Sequence, residues 1–310
     1  PDYSEATNKR PALTFQGWNN SYTNITGNKD IGAIYIPTDG KTHAFVRLTV
    51  ASGKNVSLYL NKTDTSTLSI DWGDNITTTH TNIGDFNTSH TYSDYGDYEI
   101  KIWISSGSGE YGFGNGNTNS VFVGGAQQTQ RNMLMYLFIG NNVSSIRGSA
   151  FTNCYSLTSI VIPESVSSIG GSAFTNCYSL TDIVIPESVS SIGTNAFGYC
   201  YSLTSIVIPE SVSSIESYAF QHCYSLTDIV IPESVSSISD YAFRICYSIL
   251  KYVFNRTTPP TLASTSAFNN INSICKIYVP DESVEAYKTA TNWVTYADYI
   301  YPISEMEGDN

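Results

Sequence analysis

Cys154, Cys177, Cys200, Cys223 and Cys246 recur every 23 residues, and a sixth cysteine, Cys275, falls off that spacing. Thiols can pair, ligate zinc or act as nucleophiles. An odd ladder cannot pair completely, and the C-x2-C spacing of a zinc site is absent. One register position in successive repeats suits a small, buried packing residue, so the ladder is expected to be reduced and inert. Cys275 stands at the position of Thr227 and is expected to be the more exposed thiol. Glu164, Glu187, Glu210 and Glu233 form a second column, and no Lys or Arg occurs between Arg147 and Arg244. Adjacent carboxylates can hold calcium, which takes about six to eight oxygens, but a solvated acidic rim is the simpler reading and no metal site is expected. Tyr155, Tyr178, Tyr201, Tyr224 and Tyr247 form a third column whose repeat suits ring stacking. It would shield the edge of the fold or stack on a glycan or partner. His43, His80, His90 and His222 are dispersed, and H-E-x-x-H, G-x-S-x-G and P-loop motifs are absent. The Asp71/Asp74 pair fits strand-end and turn chemistry. The serines sit at repeated positions, where an activated nucleophile would be singular. No catalysis and no cofactor are expected.

The elements that must position these columns follow from their shared period. Starting at Ser149, SAFTNCYSLTSIVIPESVSSIGG recurs as SAFTNCYSLTDIVIPESVSSIGT, NAFGYCYSLTSIVIPESVSSIES and YAFQHCYSLTDIVIPESVSSISD. Tyr136 to Ile146 is a worn first unit, and Ile249 to Phe254 and Ile277 to Pro280 continue the series past a longer return at Thr257-Thr258-Pro259-Pro260. Leu157 to Ile162 reads L-x-x-I-x-I, a leucine-rich repeat strand. Alternation puts Ile160 and Ile162 inward and Ser159 and Val161 on an open face, and the proline after each strand ends it where a ladder donor is no longer required. Seven parallel strands stacked ~4.8 Å apart make a core about 30 Å long. The expectation is a short curved solenoid of about seven rungs.

These units resemble the BspA-type bacterial surface leucine-rich repeat proteins, with the pattern A-F-x-x-C-x-S-L-x-x-I-x-I-P-x-S-V-x-x-I over roughly residues 134–280. The stretch from Ile277 to Lys288, followed by Trp293, is similar to that family's terminal cap. Asp281 or Ser283 can N-cap a short helix there, and Val284, Tyr287 and Trp293 can cover the last rung. The resemblance implies adhesion to host matrix proteins or other cells.

Residues 41–123 lack the period and alternate apolar with polar through Phe45-Arg47-Thr49, Leu58-Leu60, Leu68-Ile70-Trp72 and Tyr98-Ile100-Ile102-Ile104. That is antiparallel β-structure. Asp94 to Tyr98 has the D-x-G-x-Y spacing of a tyrosine corner, Ile100 stands where an immunoglobulin domain has its second Cys, and Trp72 can be the buried strand-C tryptophan. Trp72-Gly73-Asp74, His90-Thr91-Tyr92 and Gly96-Asp97-Tyr98 resemble the PKD family of immunoglobulin-like modules, with Asn75 in place of the usual Gly. Such modules commonly serve as spacers or binding domains on secreted proteins, which the resemblance alone implies.

The fold class expected is therefore β-rich and multi-domain: a PKD-like immunoglobulin-like β-sandwich, then a leucine-rich repeat solenoid, then a helical cap. The boundaries are an extended leader over 1–40, the sandwich over 41–123, a linker over 124–132, the solenoid over 133–280 and the cap over 281–310. With 310 residues, 41% hydrophobic and 14% charged, the chain can bury such cores. A net charge of -12 disfavours nucleic acid and anionic membranes as partners, and the apolar runs are too short to insert in a bilayer. The chain opens Pro1-Asp2-Tyr3 without a signal peptide, so its start is uninformative about export. The functional expectation is a monomeric extracellular or cell-surface recognition protein. Its concave strand face carries Ser159, Val161, Asp182, Val184, Ser205, Val207, Asp228 and Val230 to an extended or basic segment of a host or matrix protein or glycoprotein. The alternative is a carbohydrate-binding sandwich on a rigid solenoid spacer, with glycan as the partner.

Overall fold

The computed structural model describes residues 13–18, 33–37, 44–50, 55–107, 110–113, 134–139 and 143–308. Each 23-residue unit contributes two short strands. The first forms a front ladder through Leu134–Phe138, Ser159–Val161, Asp182–Val184 and Ser205–Val207, then Asp228–Ile231, Lys251–Phe254 and Lys276–Val279. The second forms a rear ladder through Val143–Ile146, Ser168–Ile169, Ser191–Ile192, Ser214–Ile215, Ser237–Ile238 and Thr261–Leu262. Pairing is parallel, residue on equivalent residue: Asp182 opposite Ser205, Val184 opposite Val207, Ile192 opposite Ile215. The longer return is absorbed at the end, where Ser237 faces Thr261 and Lys251 faces Lys276.

Between the ladders lies the expected core. Ile160, Ile162, Val166, Ile169, Ala150 and Phe151 are buried together with their equivalents in the following units. Phe113, Phe151, Phe174, Phe197, Phe220, Phe243 and Phe268 form one column with centroids 5.4–5.6 Å apart. Such ring contacts add about 0.5–1.5 kcal/mol each beyond the area they remove from water. No single unit could bury its Phe alone, so the column carries the cooperativity of the stack.

The column begins at Phe113, in the N-terminal strands. Tyr111–Phe113 pairs in parallel with Val143–Ile146 and antiparallel with Asn55–Lys62, whose other edge takes Gly84–Thr91. Leu134–Phe138 pairs antiparallel with Ala44–Val50, and the sheet runs on through Gly96–Ser106 and Thr67–Asp71 to Thr77–His80. Both solenoid ladders thus continue into the two N-terminal sheets, which cover the first rung. The Asp85 carboxylate meets the Arg147 guanidinium at 2.6 Å across this junction. The linker expected at 124–132 lies outside the described residues. Within the leader, Leu13–Trp18 and Ala33–Pro37 pair antiparallel.

At the other end the cap comprises a helix, Val284–Thr289, a 3-10 segment, Trp293–Tyr299, and a strand, Ile300–Pro302, which adds in parallel to Lys276–Val279 as an eighth front strand. The last rung presents carbonyls with no further strand to receive them, and cap side chains supply donors. Trp293 Nε1 donates to the Pro260 carbonyl at 2.7 Å, Asn292 Nδ2 to Leu262 at 2.8 Å, Tyr296 Oη to Thr265 at 2.6 Å and Tyr287 Oη to Arg256 at 2.8 Å. The expected N-cap contact is corrected. Ser283 stands at the helix N-cap with no side-chain cap bond, and Asp281 instead accepts the Ser304 backbone N–H at 3.0 Å, because the chain after Pro302 folds back over the start of the cap.

Candidate functional site

Two rows of side chains cross the open side of the front ladder, set by the alternation that buries the isoleucines between them. One row carries Ser159, Asp182, Ser205, Asp228, Lys251 and Lys276 in lateral register. The other carries Val161, Val184, Val207, Val230, Val253 and Tyr278. The structure places all eight residues expected on the face there. Val184, Val207 and Val230 are 53%, 69% and 47% exposed, an unusual state for aliphatic side chains held on consecutive rungs of a rigid sheet. Thr181 and Thr227 hydroxyls donate to the Asp182 and Asp228 carboxylates at 3.2 Å. These contacts orient the carboxylates and leave them at the surface.

Residues that the repeat reading passed over complete this face. Past Asp228 the first row changes sign to Lys251 and Lys276, and the flanking threonine position becomes Leu250. Lys276 Nζ lies 5.3 Å over the Tyr301 ring of the cap strand. Thr227, Asp228, Leu250, Lys251, Lys276, Tyr278 and Met306 line an open groove of roughly 520 Å³. The signal was present in the sequence: at a spacing that otherwise preserves Ser or Asp, two successive units carry Lys.

The tyrosine column stands on the turn side. Tyr155, Tyr178, Tyr201 and Tyr224 stack with centroids 4.6–4.9 Å apart, and Tyr247 follows at 6.2 Å. Burial within the stack, then the neighbouring phenols, push the Tyr178 and Tyr201 hydroxyls up. The ring faces are consumed by each other, so the column offers partners mainly hydroxyls and ring edges. His222 Nδ1 lies 2.8 Å from the Tyr224 hydroxyl, and its ring stacks on Tyr199.

All six cysteines are free and buried. In the ladder, Cys177, Cys200, Cys223 and Cys246 donate S–H to the carbonyls of Phe151, Phe174, Phe197 and Phe220 at 3.0–3.3 Å. Burial pushes these thiols up, Cys200 and Cys246 to about 12, so the thiolate is inaccessible at neutral pH. The expectation for Cys275 is overturned: it is 3% exposed and burial pushes it up to about 12. Its register opposite Leu250 is as read, but a tight turn closes just before it. Asn272 accepts from both the Ile274 and Cys275 amides, Ile274 points out at 70% exposure, and the next side chain turns in.

Glu164, Glu187, Glu210 and Glu233 are exposed, and Glu164 accepts the Ser188 amide at 3.3 Å. Among the described residues no three His, Cys, Asp or Glu side chains converge on a metal position, and no helix is long and apolar enough to cross a membrane.

Comparison with known proteins places these observations in a family of repeats. Residues 130–250 match the profile described as BspA type leucine rich repeat region, in six copies. No curated protein matches the chain. A leucine rich cell surface protein from Faecalibacterium prausnitzii is 31% identical over 49% of this chain and 37% of its own, with a TM-score of 0.40. A leucine-rich repeat protein from Bacteroides ovatus is 24% identical over 62% of this chain and 50% of its own, with a TM-score of 0.42. The leucine rich repeat protein of T. pallidum is 22% identical over 62% of this chain and 88% of its own, also at 0.42. The chain spans less than two thirds of the length of the first two.

Proposed function

We propose that the chain is a non-catalytic recognition module of a bacterial cell-surface protein, binding a host or matrix protein through the open side of the front ladder. The observation that carries this reading is the strip of Val184, Val207 and Val230. Three aliphatic side chains about half or more exposed on adjacent rungs lose stabilisation in water that a partner would restore. The ladder presents them without conformational freedom, so little ordering entropy opposes binding. The BspA-type match over 130–250 supports a protein-interaction role, and the F. prausnitzii protein is described as a cell surface protein.

The N-terminal strands are, on this reading, a PKD-like immunoglobulin-type module. Support comes from the fully buried Trp72, the fully buried Ile100 and the Tyr98 hydroxyl donating to the Asp94 carbonyl at 3.1 Å. Asn75 adopts a φ of 72°, a conformation Asn tolerates nearly as well as Gly. Because this module continues both ladders, it acts as the cap of the first rung rather than as a separate stalk, which weighs against the glycan-binding sandwich on a passive spacer.

The test uses the full chain against immobilised matrix proteins and mucins, with Val207→Glu and the double variant Asp182→Lys/Asp228→Lys beside the parent. Surface substitutions shift stability by only about 0.5 kcal/mol, so melting curves should coincide while binding changes. Unchanged affinity with unchanged stability would move the site off the front face.

A further inference from the structure

The four near-identical units would by themselves present one uniform face, but the face ends differently from how it begins. Its polar row runs Ser159, Asp182, Ser205, Asp228, then Lys251 and Lys276, each opposite the next in the ladder. The two lysines are side by side on adjacent strands about 4.8 Å apart, an arrangement that costs repulsion unless an anion or a ring shares the charge. The Tyr301 ring lies under Lys276. The only acidic side chain lining the groove is Asp228. Apolar surface flanks the pair, with Leu250 at 46% and Ile274 at 70% exposure, and Met306 forms a wall where the chain folds back after the cap strand.

We propose that this groove is the anionic subsite of the front face and takes an extended acidic segment of a protein partner. The proposal rests on the reading of the front face as the partner surface and gives that surface a direction. A strand-like segment laid along the row would set its carboxylates over Lys251 and Lys276 and its apolar side chains on the valine strip. Its other end, over Asp182 and Asp228, would be neutral or basic. A peptide fits better than an acidic polysaccharide. Sugar rings bind on exposed aromatic faces, whereas Tyr278, which lines the groove, is 1% exposed. Alternating apolar and acidic side chains match alternating apolar and basic rows.

The experiment measures fluorescence anisotropy of labelled decapeptides alternating Val with Glu or Val with Lys. Each is titrated with the full chain and with the variants Lys251→Gln/Lys276→Gln and Val184→Ser/Val207→Ser, at low and moderate salt, and polygalacturonate is tested as a competitor. The Val/Glu peptide is expected to bind the parent, to lose about tenfold affinity in the lysine variant and to show a shallower salt dependence there. No binding of the Val/Glu peptide, or equal affinity for parent and lysine variant, would overturn the subsite. So would displacement by polygalacturonate of a peptide whose affinity ignores the valines. Weakening by the valine variant alone would leave the front face standing and remove the acidic subsite. Indifference to both variants would remove both readings.

Discussion

The turns between front and rear strands place non-glycine residues in left-handed backbone at equivalent sites: Asn153, Asn176, Tyr199, His222 and Ile245, with φ of 63°, 63°, 62°, 60° and 60°. The ladder imposes this conformation, since each residue donates its amide to the next turn, His222 to the Arg244 carbonyl at 2.8 Å and Ile245 to Asn269 at 2.9 Å. Asn occupies left-handed backbone at little cost, whereas an L-residue with a branched β-carbon costs about 1–2 kcal/mol or more there. Ile245 recovers little of that by burial, as it is only partly covered and lies outside the buried core. Replacing Ile245 with Asn is therefore predicted to stabilise the chain by about 1 kcal/mol, and Ile245→Val, which keeps the branch, to change it by less than about 0.5 kcal/mol. Urea unfolding followed by far-UV circular dichroism, with the slope m common to all three proteins, reads the difference as a shift of midpoint. An Asn variant no more stable than the Val variant would refute the strain argument.

Thiol titration of the native protein should find no reactive cysteine, because burial holds Cys275 and the ladder as neutral thiols, and should find six after unfolding; a fast native thiol would contradict the inward turn at Cys275. Trp293→Ala removes a fully buried ring and the donor to the Pro260 carbonyl, and is predicted to cost about 3–5 kcal/mol and to promote aggregation through the uncovered last rung; a soluble variant of parental stability would show that the cap is dispensable. Burial holds the His80 imidazole below its ordinary value of 6.5, so the folded state favours the neutral ring. Its contribution is complete above that ordinary value and is lost as pH falls through the lower folded-state one. His80→Gln should flatten the acid side of the stability profile, and an unaltered slope would exclude this group.

The solenoid was legible because its units repeat without slippage: a Phe every 23 residues demands a column, and two inward isoleucines per unit demand a sheet between them. The junction was not legible. Tyr111-Gly112-Phe113 is a three-residue strand in a Gly- and Asn-rich stretch with no periodicity of its own, and what fixes it is the stacking of Phe113 on Phe151 across the first rung. The strands Thr77–His80 and Gly84–Thr91 escaped for a similar reason, since their polar, half-exposed faces show little hydrophobic alternation. Cys275 shows the limit of register arguments. Spacing assigned its rung correctly, but the side to which its thiol turns is set by the Asn272 turn. Lys251 and Lys276 were visible in the sequence, yet only the lateral pairing of their strands makes them neighbours.

The central claim, that the partner lies on the open side of the front ladder, is tested most directly by site-specific photo-crosslinking. A benzophenone amino acid is placed at Val207 on the front strands or at Ser190 on the exposed approach to the rear ladder, and each protein is illuminated with the matrix protein that the parent chain retains. The account predicts a covalent adduct from position 207 and none from position 190. An adduct from 190 alone, at equal stability and equal occupancy, would contradict it.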